Sequence, residues 1–167
     1  PATNAVISFN RNKTSYNYRK ADTELKKLPS LNGKKELEAK LDEGLKLFAK
    51  DAISSLAQYE QQPTKKQYEF ALFSINSLPD SSIKFELLEK LKIQVQTVVK
   101  KAVTKISVYE KEQNLRNYNN AQKSLVEIFD DKQRFLLEKR IQKTVNNNLA
   151  KAKTRVSNYE KKKTKNN

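Results

Sequence analysis

The side chains able to do chemistry in this chain are almost all charged: 34 Lys and Arg stand against 19 Asp and Glu, with seven Tyr and no His, Cys, Met or Trp. Without an imidazole or a thiol there is no Ser-His-Asp or Cys-His relay, no zinc centre of the usual kind, no disulfide and no thiol redox couple. Paired carboxylates remain as an acid-base option. The acidic residues, however, are interleaved with Lys on helix faces that read as solvated, and two Gly in 167 residues leave no glycine-rich loop to cradle a phosphate. The expected chemistry is therefore non-enzymatic, needs no cofactor or metal, and belongs to the cations.

Those cations give a formal net charge of +15, a field that attracts polyanions. The excess is present in every part of the chain and peaks at the end, where residues 152–167 hold six basic and one acidic side chain. The densest stretch is Lys151, Lys153, Arg155, Lys161, Lys162 and Lys163. Lys132, Arg134, Lys139, Arg140 and Lys143 come next along the same predicted helix. These eleven are the candidate polyanion-binding residues, weighed against the simpler reading of a solvated helix face. Tyr among Lys also suits base stacking, but most of the tyrosines sit on apolar helix faces and read as core; Tyr16 is the more exposed one.

The elements that must hold these residues follow from a gap-free repeat of fifty residues. Phe9, Tyr59, Tyr109 and Tyr159 share one phase; Ala2, Ala52, Ala102 and Ala152 a second; Val6, Leu56, Ile106 and Val156 a third. Further columns are Tyr18, Tyr68 and Tyr118, then Ala21, Ala71 and Ala121, then Leu25, Ile75 and Leu125. Leu28-Pro29 recurs as Leu78-Pro79, whereas the third copy has Ile128-Phe129. Within a copy the apolar residues step by three and four, as in Leu37, Leu41, Leu45 and Phe48, which is a helical period, and nothing alternates with period two.

The chain therefore reads as all-α. Pro29, Pro63, Pro79 and nearby Ser, Thr and Asn mark the breaks. Long helices are predicted over Lys34–Tyr59, Ser82–Glu112 and Lys132–Lys162, with short ones over Thr14–Leu28, Thr64–Leu78 and Leu115–Phe129. No signal interrupts the long helices near Lys50, Lys100 or Lys151. Short breaks favour fold-back into tandem three-helix bundles, residues 1–48, 49–98 and 99–149, strung on shared helices in a spectrin-like elongated rod. Residues 150–167 are then a basic helix end, either the opening helix of a fourth bundle or a frayed tail. The chain starts at Pro1 without Met and reads as a processed product or a fragment. No apolar run reaches membrane-span length.

The pattern Ala-x-x-x-Leu-x-x-Tyr at 52–59, Tyr68-x-x-Ala71-x-x-x-Ile75-x-x-Leu78-Pro79-Asp80 and Lys84-x-x-Leu87-x-x-x-Leu91-x-x-x-Val95 resembles the helical repeats of secreted Gram-positive surface proteins. It is similar in particular to the helical cell-wall-binding region of Bacillus and Geobacillus S-layer proteins. That resemblance spans about residues 2–160. It implies an extracellular, cell-wall-associated module whose partner is an anionic wall polymer, a secondary cell wall polymer or a teichoic acid. It transfers no binding residue, and the eleven cations stand on electrostatics alone. The competing readings are a basic nucleic-acid-binding helical protein and a helical protein-interaction or inhibitor module.

Overall fold

The structure, a computed structural model, describes residues 1–30 and 32–165, with side chains described for 1–30 and 33–163. Among the described residues it is all helix: α1 (Ala2–Arg11), α2 (Ser15–Lys26), α3 (Asn32–Phe48), α4 (Lys50–Gln61), α5 (Lys65–Asn76), α6 (Ser82–Lys111), α7 (Leu115–Val126) and α8 (Asp131–Lys165). The starts are set by short polar side chains that satisfy the orphan N–H groups of a first turn. Thr14, Thr64 and Asn114, fifty residues apart, accept from the backbone N–H of Asn17, Gln67 and Asn117 at 3.1, 3.3 and 2.8 Å. Ser81 and Asp130 do the same for α6 and α8, through Lys84 N–H at 3.3 Å and Gln133 N–H at 2.9 Å.

Packing divides the chain into two compact units, one up to Val95 and one from Gln96 onward. In the first, α1, α2 and α3 pack pairwise around Ala5, Val6, Phe9, Ala21, Leu25, Leu41 and Leu45. Phe9 is enclosed by Tyr18 and Phe48, edge to face, at centroid distances of 5.5 and 6.2 Å. Helix α1 comes close to α3 at Gly44: a Cβ there would lie 1.9 Å from Asn10 Oδ1 and 3.0 Å from Phe9 Cε1, so a larger residue requires the Asn10 side chain to move. In the same unit α4 packs on α5, with Tyr59 edge-on to Tyr68 at 5.9 Å.

In the second unit, α6, α7 and α8 bury Val98, Ala102, Ile106, Tyr109, Ala121, Leu125, Ile128, Leu137 and Ile141 in one cluster. Tyr109 meets Tyr118 edge to face at 5.5 Å. The same ring contact thus occurs at the same spacing in three places.

One expected helix is corrected. Lys34–Tyr59 is not a single helix, because Ala49 separates α3 from α4. Its ψ of −5° turns the peptide away from the helical value of about −42°. Hydrogen bonds from Ala49 N–H to Leu45 C=O and from Ile53 N–H to Ala49 C=O, both 2.9 Å, persist across it, so the helix bends at one residue and goes on. No Pro or Gly marks the place. Helices α6 and α8 do continue through Lys100 and Lys151.

Candidate functional site

Ten of the eleven candidate cations project from α8 at positions where the helix is either packed on unit two or fully exposed, and Arg140 is the one drawn across to another helix. The helix begins with Asp130 capping and Asp131 in its first turn, where a carboxylate complements the dipole, and its last turns carry Lys161, Lys162 and Lys163, the favourable sign at that end. Leu137, Ile141 and Thr144 form its buried seam. At 3.6 residues per turn Lys132, Lys139 and Lys143 lie on the side opposite that seam, facing solvent.

The structure sorts the candidates by what holds them. Arg140 is locked: its Nε and Nη2 donate to Glu110 Oε1 and Oε2 at 3.0 and 2.6 Å, and Nη2 also donates to Ser107 Oγ at 3.2 Å. This bidentate fork onto a carboxylate pushes the guanidinium pKa further up. Arg134 is bracketed on its own helix by Asp131 at 2.7 Å and Glu138 at 3.7 Å. Lys139 sits 4.3 Å over the Phe135 ring. Lys132, Lys143, Lys151, Lys153 and Arg155 are exposed and form no ion pair among the described residues. Lys162 and Lys163 are also exposed, as is Lys161.

Two groupings result. Lys132, Lys139 and Lys143 share the outward face. Lys151 and Arg155 line an open groove of about 540 Å³ with Gln113, Asn148, Ala152 and Val156. From Lys139 to Tyr159 the helix has six basic residues and no carboxylate, so between Glu138 and Glu160 no acidic neighbour on α8 offsets them. Among the described residues no cluster of carboxylates could hold a metal ion, and no helix is long and apolar enough to cross a membrane.

Sequence reasoning missed the sequestration of Arg140, whose partner Glu110 lies thirty residues away on another helix. Glu60 and Glu110 share a column, and Gln94 Nε2 reaches Glu60 Oε1 at 3.4 Å much as Arg140 reaches Glu110. Tyr16 is exposed, whereas Tyr59 and Tyr109 are buried. Burial pushes the Tyr59 phenol up to about 12, with Tyr68 adding to it. No protein-family model, no curated protein and no solved structure matches the chain.

Proposed function

We propose that this chain is a non-catalytic, extracellular helical repeat module that acts as a spacer and binds an anionic cell-wall polymer, a secondary cell wall polymer or a teichoic acid. The observation that carries the reading is the carboxylate-free stretch of α8 from Lys139 to Tyr159, with its exposed Lys143, Lys151, Lys153 and Arg155, which form no ion pair among the described residues. A polymer carrying repeated phosphates or carboxylates would meet them one after another, each contact weak and the sum substantial. The fifty-residue recurrence of caps and ring pairs supports the spacer half of the reading. It fits tandem three-helix units at 1–48, 49–98 and 99–149, the last two linked by the unbroken α6, so that every added copy would add length.

The test is retention on purified cell-wall sacculi, with and without extraction of their polymers, beside nucleic-acid gel shifts in the same buffer. Retention is expected only on unextracted walls, and it should fall steeply between low and physiological salt as the cations are screened. Changing Lys151, Lys153 and Arg155 together to Gln should weaken it several-fold, on the order of 1 kcal/mol or more in total. Changing Lys161, Lys162 and Lys163 should add to that loss. Undiminished retention on extracted walls, or a gel shift without wall binding, would overturn the reading.

A further inference from the structure

Three of the four sets of repeat columns are buried and the fourth is bare. Ala2, Val6 and Phe9, and their counterparts in the next two copies, are at most 4% exposed. On α8 the same columns give Ala152, exposed, Val156, 57% exposed, and Tyr159, 70% exposed, with Leu149 at 53% beside them. By helical period these four form one apolar face that continues the buried seam of Leu137 and Ile141. In each covered set the aromatic of the stripe, Phe9, Tyr59 or Tyr109, is met edge-on by a Tyr nine residues later, on a helix that a Thr or Asn cap starts three residues past the stripe helix.

We infer that the face of α8 formed by Leu149, Ala152, Val156 and Tyr159 is a docking surface for a helical hairpin of the chain's own repeat chemistry. The first helix of that hairpin carries Tyr, Ala and Leu at the spacing of Tyr118, Ala121 and Leu125. The second carries apolar residues at the spacing of Leu137 and Ile141. Such a hairpin covers the matching stripe of α6 in the second unit, and it would place an edge-on Tyr against Tyr159. Charge excludes a second copy of α8 as the cover, because residues 152–167 of each would bring six basic side chains against six others. Glu160 stands in the column from which Glu110 holds Arg140, so an Arg at that place in the hairpin meets a carboxylate. The inference rests on the tandem reading above and not on polymer binding, which the sacculus assay reads separately.

The experiment extends the chain after Lys161 with a copy of its own residues 112–149, which keeps the fifty-residue register. A control extension has Ser at the appended counterparts of Tyr118, Ala121, Leu125, Leu137 and Ile141. Hydrogen exchange of the 150–160 amides is measured by mass spectrometry in the parent and both extensions, with sedimentation alongside. Exchange is expected to slow by about ten-fold or more in the first extension only, with all three monomeric. Equal exchange in the two extensions overturns the inference, as does an appended hairpin that stays unfolded. A parent that already sediments as a dimer with 150–160 protected assigns the face to a second copy. Protection of the parent by a single-stranded oligonucleotide, with none from the extension, assigns it to base stacking.

Discussion

The Tyr59 phenol is fully buried against Tyr68, and its pKa stands at about 12 against an ordinary 10. The folded state thus holds the neutral form, while the unfolded chain ionises near 10. The stability from this group is complete below pH 10 and is lost as pH rises from 10 through 12. Phe9 fills the same column without a hydroxyl, so Tyr59→Phe should fold and should lose less stability over that interval than the parent. The difference is on the order of 1–3 kcal/mol at pH 12, read from thermal melts at pH 9 and above. That these residues are core was legible in the sequence, because apolar spacing of three and four reports burial directly. The notch at Gly44 was not, since it depends on how near the Asn10 side chain comes from another helix, which no local pattern records. The same holds for Arg140, whose partner is thirty residues away.

At the scale of helices, what the sequence made plain was where they stop. Pro lacks an N–H, and Thr, Ser, Asn and Asp supply capping oxygens, so the breaks around 12–14, 62–64, 79–81 and 112–114 follow from residue type. The bend at Ala49 escaped notice because Phe48-Ala49-Lys50 contains only helix-compatible residues. Its counterpart Val98-Val99-Lys100 lies within unbroken α6. Lys100→Pro would remove a hydrogen bond of α6 and clash with the preceding turn. It should cost about 3 kcal/mol in urea denaturation. It should also lower the helical content read by circular dichroism, and unchanged content would refute an unbroken α6.

For the molecule as a whole, the charge of +15 is distributed over every copy, and two helices carry long runs of cations with no acidic residue between them: α6 from Lys90 to Tyr109, with five Lys, and α8 from Lys139 to Tyr159, with six basic residues. The sequence showed that concentration of charge, but not that the columns shared by Ala152, Val156 and Tyr159 would be bare there. Burial is a property of a stripe and its cover together, and periodicity describes the stripe alone. This uncovered segment has a consequence for how the chain is cut. Trypsin needs a locally opened backbone after Lys or Arg, and residues 150–163 offer that at little cost because all of them are exposed. Brief digestion should nick after Lys151, Lys153 and Arg155 before any bond preceding Lys143, leaving a trimmed fragment with undiminished melting temperature. Mass spectrometry of a time course would show whether the molecule is peeled from that end or opened elsewhere first.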